Sequence, residues 1–347
     1  MKPHKSDCCD GLYSDHILNA GSDCLIHIAL LFSTIIVHGN MPDKFLLSTV
    51  NPIPKGHNVN VTDSANYRGI AISSVFTKLF DNIVLIRYSE KLISSPMQFG
   101  FKKGYSTNLC TMVLKETVAY YAQSNSTVFC SFLDATKAFD RVHYVKLFRL
   151  LIKQSLPACI VRVLVNLYLS NYVRTAWRGV RSDYFLATNG VKQGGVLSPI
   201  LFCIYIDDML VRLAGLGVGC YIGGTYVGAL SYADDVVLIA PTAFAMRRML
   251  SLCDQFASEY RINFNPQKSR CVVLLPKGRK FLAPYLKDHQ FSIGGQPMEF
   301  VDSYCHLILV ILSIRSSRMM MILTSGKRIL SARLITCCVT FARLIRL

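Results

Sequence analysis

The sequence predicts a mixed protein in which strands and helices alternate, an α/β or α+β arrangement built around a sheet. Two observations carry this reading. Short apolar runs of strand length, such as Val128–Leu133, alternate with segments whose apolar residues recur at helical spacing. Gly, Pro and polar clusters punctuate the boundaries between them. A chain of 347 residues that is 52% hydrophobic can bury more than one core, as one large domain or two moderate ones.

The elements follow in order. Leu25, Ile28, Ala29, Phe32, Ile35 and Ile36 make one helical stripe, ended by Gly39 and followed by Pro42. From Ser48 to Ile72, short apolar runs are broken by Pro52, Pro54, Gly56 and Gly69, with Lys55 and Arg68 among them, which suits a hairpin with an exposed tip. A helix is expected from after Asn108 to about Gln123. Val128–Leu133 reads as a buried strand delivering Asp134 at its end, and helices follow over Tyr144–Ile152 and Ala158–Leu169. Tyr172 to Leu186, with Gly179 in the middle, reads as a hairpin leading into NGVKQGGVLSP. Ser198 and Pro199 open a helix by the cap-plus-proline rule, running to about Ala214 before Gly215. GALSYADDVVLIAP places two short strands around a polar tip.

Charge narrows the partners. Lys and Arg number 38 against 21 Asp and Glu, a net charge of +17, so the surface should attract a polyanion. The 13 cysteines are scattered and read as reduced thiols of a nuclear or cytoplasmic protein, with no signal-peptide layout, and no C-x-x-C or H-x-x-x-H pair supports zinc. The apolar stretches Cys24–Val37 and Leu307–Ile314 fall short of the roughly 20 residues a membrane-spanning helix needs, so no membrane partner is expected.

An acid within or between apolar strands is costly to bury unpaired. Asp134 follows one such strand, and Asp234 and Asp235 lie between SYA and VVLIA. If these strands pair, the three acids converge at one sheet edge, where divalent cations would hold them ionised. Two such ions roughly 4 Å apart activate a hydroxyl and stabilise a leaving pyrophosphate. Tyr205-Ile-Asp-Asp208 has a similar look, but Phe202, Ile206, Met209, Leu210 and Leu213 make a helical stripe there. Asp207 and Asp208 are therefore expected on a solvated face, with Asp208 pairing to Arg212 one turn on.

FLDATKAFD, NGVKQGGVLSPILF and SYADDVVLIA resemble motifs A, B and C of reverse transcriptases, in order. NPIPKG with NYRGIAI resembles the fingers motifs, QFGFKKGYST the linking motif and NPQKS motif D, with wording closest to LINE-type (non-LTR) retrotransposons. The resemblance implies an α+β right-hand polymerase fold with an antiparallel palm sheet backed by helices, and RNA-directed DNA synthesis. It implies an RNA template, a DNA primer, deoxynucleoside triphosphates and two Mg²⁺ ions, with Mn²⁺ as an alternative. The implied layout is an N-terminal helical extension over residues 1–45, fingers over 46–125 and a palm with inserted fingers segments over 126–306. Carried over by position, Asp134 and Asp234 are metal ligands and Asp235 completes the acidic cluster. Lys55 and Arg68 lie on the triphosphate, Phe139 packs under the sugar, and Gln193, Gly194 and Gly195 lie under the nucleotide and template base. Lys268 would give a proton to the leaving pyrophosphate.

The ends depart from the family. MKPHKSD resembles the start of the polymerase region, so the upstream endonuclease of most such elements is expected to be missing. After about Leu307 the family continues into a thumb, whereas this chain reads ILVILSIRSSRMMMILTSGKRIL. Three methionines mean ATGATGATG, which gives aspartate codons in another frame, and RLITCCVTF can give family-like text in a neighbouring frame. Residues 307–347 are thus expected to be a frameshifted tail in place of a thumb. Two other classes fit part of the sequence: a relic that binds nucleic acid without catalysis, and a membrane-associated basic protein.

Overall fold

The computed structural model describes residues 3–4, 11–56, 59–276, 290–301, 303–304 and 312–313. Along the chain, α1 (Ser14–Leu18) precedes α2 (Ser22–His38), whose buried stripe is Ile28, Phe32 and Ile35 and whose end is the left-handed Gly39. β1 (Leu47–Pro54) and β2 (Tyr67–Ser73) form the expected hairpin. Next comes α3 (Val75–Arg87), a helix outside the sequence expectations, begun by the Ser74 side chain accepting from the Phe76 amide. α4 (Thr107–Gln123) leads to β3 (Val128–Leu133), buried at every position. α5 (Tyr144–Lys153) and α6 (Ala158–Leu169) follow as expected.

The Tyr172–Leu186 segment resolves into β4 (Tyr172–Trp177), β5 (Val180–Arg181) and β6 (Phe185–Leu186). α7 (Ser198–Gly215) precedes the small hairpin β7 (Tyr221–Ile222) and β8 (Thr225–Tyr226). β9 (Ala229–Tyr232) and β10 (Asp235–Ala240) enclose the acidic turn. α8 (Ala243–Tyr260), also unanticipated, starts where Thr242 Oγ1 accepts from the Ala245 amide, and buries Met246, Met249, Leu250, Cys253 and Phe256 at helical spacing. The remaining strands are β11 (Arg270–Leu274), β12 (Ser292–Ile293), β13 (Gln296–Pro297), β14 (Glu299–Phe300), β15 (Ser303–Tyr304) and β16 (Leu312–Ser313). Apart from β16, the tail expected to be frameshifted lies outside the described residues.

The chain divides into two compact units, each made of two stretches. One comprises Met1–Ile93 and Ala138–Tyr205 and holds a sheet ordered β2-β1-β4-β5, with β6 on β4. Here β1 is antiparallel to β2 and parallel to β4. The other comprises Ser94–Lys137 and Ile206–Leu347, and its sheet runs β14-β11-β3-β10-β9. β3, central in that sheet, is antiparallel to both neighbours. α4 packs on this sheet through Cys110, Val113, Leu114 and Val118 against Val128, Cys130, Val237 and Ile239. Burying such side chains contributes about 1.5–3 kcal/mol for each large one.

The expectation of a solvated Asp207–Asp208 face is corrected. Asp207 is only 8% exposed and its carboxylate accepts hydrogen bonds from the Ser95 amide and hydroxyl. Asp208 does pair with Arg212, Nε to Oδ2 at 2.8 Å, yet the same oxygen also accepts from the Tyr260 hydroxyl at 2.9 Å. The helical stripe was legible, but a one-dimensional pattern does not show that other segments cover the second face. Among the described residues, no helix is long and apolar enough to cross a membrane.

Candidate active site

The register of β3 against β10 sets Leu133 opposite Val236. Asp134, the next residue after Leu133, and Asp235, the residue before Val236, therefore leave adjacent strands at the same end of the sheet. Asp234 sits beside them in the β9–β10 turn, where Tyr232 pairs with Asp235. Sequence reasoning expected this convergence, and all three acids are half-buried.

The backbone of Asp134 is held from the other side. Its amide donates to Ser269 Oγ at 3.1 Å, its carbonyl accepts from the Asn265 amide at 2.8 Å, and Ala135 bridges Phe264. The NPQKS segment thus fixes the strand end that carries the acid. Lys268 in that segment is exposed, with its amide bonded to the Asn265 carbonyl.

Crowding among the acids has an electrostatic signature. Burial, and then the like charges of Asp234 and Asp134, push the Asp235 carboxyl up to about 7. Among the described residues, which include these three acids, no group of three or more Asp, Glu, His or Cys side chains is arranged to hold a metal ion. The three carboxylates offer only hard oxygen donors, the chemistry that suits divalent cations such as Mg²⁺ or Mn²⁺.

The other unit carries most of the remaining expected residues. The Ala71 amide on β2 donates to the Gln193 carbonyl at 2.6 Å, tying the strand that bears Arg68 to the Gln193–Gly195 loop. Gly194 has φ +102°, and a Cβ there would lie 2.9 Å from the Ala71 carbonyl oxygen, so only glycine permits this contact. Phe139 stacks on Phe202, with centroids 4.4 Å apart and planes at 17°, while its carbonyl accepts from the Val191 amide at 2.8 Å. β2, the Val191–Gly195 loop and Phe139 are thereby one connected assembly. Arg68 and Lys55 are exposed, and Lys55 Nζ donates to the Ala65 carbonyl at 2.8 Å.

Sequence reasoning missed the support beneath this loop. Asp81, on α3, is buried, and burial pushes its carboxyl up to about 7 against the opposing pull of Lys192 and of the Leu197 and Val196 amides. An acid on the apolar stripe Phe80–Val84 was the available signal.

Residues 53–298 match the family model described as reverse transcriptase (RNA-dependent DNA polymerase). The chain is 28% identical over 269 residues to a Pol polyprotein from the type-1 retrotransposable element R2 of Nasonia vitripennis, covering 78% of this chain and 26% of that protein. It is 27% identical to the corresponding polyprotein of the type-2 element R2DM of Drosophila melanogaster, covering 76% and 25%. A probable RNA-directed DNA polymerase from the Drosophila melanogaster transposon X-element is 30% identical, covering 76% and 29%. The chain thus spans less than a third of the length of each of these three relatives.

Proposed function

The chain belongs to the reverse transcriptase family, and we propose that it is the RNA-directed DNA polymerase of a non-LTR retrotransposon, extending a DNA primer on an RNA template. The observation that carries this is the β3–β10 register, which brings Asp134, Asp234 and Asp235 to one sheet edge. Asp134 and Asp234 serve as ligands for two Mg²⁺ ions, or Mn²⁺, and Asp235 completes the cluster. When bound, such ions acidify the primer hydroxyl and neutralise charge on the leaving pyrophosphate. The β14-β11-β3-β10-β9 sheet is the palm sheet of a right-hand fold, within residues 126–306, and the β1–β2 hairpin belongs to fingers over residues 46–125.

Arg68 and Lys55 bind the triphosphate, and the Gln193–Gly195 loop lies under the incoming nucleotide and template base. Phe139 packs under the sugar, its ring braced by Phe202. Lys268 gives a proton to the pyrophosphate. The net charge of +17 suits a nucleic-acid partner, and the chain works in the nucleus and cytoplasm.

Primer extension by the purified chain on an RNA template with Mg²⁺ tests this. Asp134→Asn or Asp234→Asn should reduce extension about 100-fold or more, because groups that merely orient metal ligands are already worth about 10–100-fold. Extension by Asp234→Asn at the parental rate would overturn the assignment.

A further inference from the structure

The segment that precedes α4 runs beside β9, and one residue of it reaches the acidic turn. Gln98 is 0% exposed and bridges Ser231 in parallel fashion, flanked by Phe99 N donating to the Ser231 carbonyl at 2.7 Å and Ser231 N donating to the Met97 carbonyl at 2.9 Å. Both ends of the Gln98 amide are used. Oε1 accepts from the Ala233 amide at 3.0 Å and the Gly100 amide at 2.9 Å. Nε2 donates to Ser231 Oγ at 3.1 Å and to the Ala233 carbonyl at 3.4 Å. The Ser231 hydroxyl in turn donates to that carbonyl at 2.9 Å.

Ala233 is the residue that needs holding. It opens the two-residue turn between Tyr232 and Asp235 with φ +59°, whereas Asp234 after it has no positive φ. Glycine is the usual occupant of such a position, because a Cβ disfavours the left-handed region. The strap comes close enough to grip this turn only because residue 100 is glycine: a Cβ there would lie 2.5 Å from the Ala233 nitrogen.

We propose that Gln98 is a positioning residue for the acidic turn, locking Ala233 in its left-handed conformation so that Asp234 and Asp235 are presented beside Asp134 in one arrangement. Its functional meaning rests on the polymerase reading above; the clamp itself rests on the hydrogen bonds. Glutamine suits the place because it offers an acceptor to one N–H and a donor to the carbonyl of the same residue. Glutamate would turn an oxygen towards that carbonyl and bury a charge beside the acids. Methionine would fill the volume but leave the Ala233 N–H unpaired.

The test compares the full chain with Gln98→Met, and with Gln98→Met carrying Ala233→Gly as well, by amide hydrogen exchange and by Mn²⁺ binding followed by electron paramagnetic resonance. In Gln98→Met, exchange at Ala233 to Asp235 should accelerate at least about tenfold while β3 and the rest of β10 keep their protection. Mn²⁺ affinity should fall about 10-fold or more. Adding Ala233→Gly should recover much of the Mn²⁺ affinity, because glycine adopts the positive φ of this turn without the Cβ penalty that the clamp offsets; filling core volume would not be rescued this way.

Unchanged exchange at the turn, acceleration spread evenly over the sheet, or a double variant with no recovery would each overturn the proposal. If Gln98→Met does not fold, folding of the double variant supports the clamp and its failure to fold overturns it. Should the parent bind Mn²⁺ no better than Asp134→Asn does, the metal reading of the acids falls, while the exchange data still decide the clamp.

Discussion

Asp207 grips Ser95 twice, accepting from its amide at 2.8 Å and from its hydroxyl at 2.6 Å. Burial pushes the Asp207 carboxyl up, and the two bonds from Ser95 pull the other way. Asp207→Ala should therefore lower the free energy of unfolding by about 2–4 kcal/mol, since two hydrogen bonds to a charged group are lost and the Ser95 amide is left unpaired. Urea denaturation measures this. A change within about 0.5 kcal/mol is what a solvated helix face would give.

Asp235 makes metal-free stability fall as pH rises. Its folded value of about 7 lies above the ordinary 3.8, so the native state binds the extra proton between these limits and loses stability through that window. Asp81 titrates over the same range, raised to about 7. The difference between parent and Asp235→Asn isolates the former. In chelator at pH 8, Asp235→Asn should be the more stable protein, by roughly 1–3 kcal/mol, and the gap should close towards pH 4. A gap independent of pH would show that burial and the like charges of Asp234 and Asp134 do not raise this carboxyl.

Phe139→Ala should raise incorporation of ribonucleotides relative to deoxyribonucleotides by roughly tenfold or more, the scale on which a close-fitting pocket discriminates a small group. Phe139 stacks on Phe202, and under the proposed role at the sugar its removal would take away a steric stop without adding an attraction. Competition between labelled nucleotides gives the ratio. An unchanged ratio in a folded variant would return Phe139 to the packing core.

Binding to a primer–template duplex should weaken at least about 100-fold between roughly 50 and 200 mM salt, which corresponds to about four neutralised phosphates. The net charge of +17 motivates this. Fluorescence anisotropy across a salt series supplies the slope, and a flat line would assign the basic residues another task.

What the sequence revealed depended on whether one stretch of chain contained the whole signal. β3 and α6 were legible to the residue, because a run apolar but for Ser131 and a run opened by Pro157 each announce their own limits. The convergence of Asp134 with Asp234 and Asp235 needed only the assumption that two apolar strands pair, and Leu133 opposite Val236 meets it. α3 and α8 escaped notice because their apolar stripes are interleaved with Lys78, Asn82, Arg247, Arg248 and Asp254. The parallel pairing of Leu47 with Tyr172 was illegible, since nothing in either strand names so distant a partner. Ala233 was hardest, because alanine carries no hint of φ +59°, and the groups that bond its backbone include Gln98, distant in sequence.

The central place of β3 also governs how the protein is made. β10 begins at residue 235 and β11 at residue 270, so a ribosome that has finished VFCSFL must add about a hundred residues before either neighbour exists. At ordinary synthesis rates that wait is roughly 5–20 s. Throughout it, a strand that is apolar but for Ser131 offers two bare edges to any similar strand on a nearby nascent chain. The yield of native protein should then follow a race between elongation and strand capture, which faster translation or a chaperone holding residues 128–133 would tip towards folding.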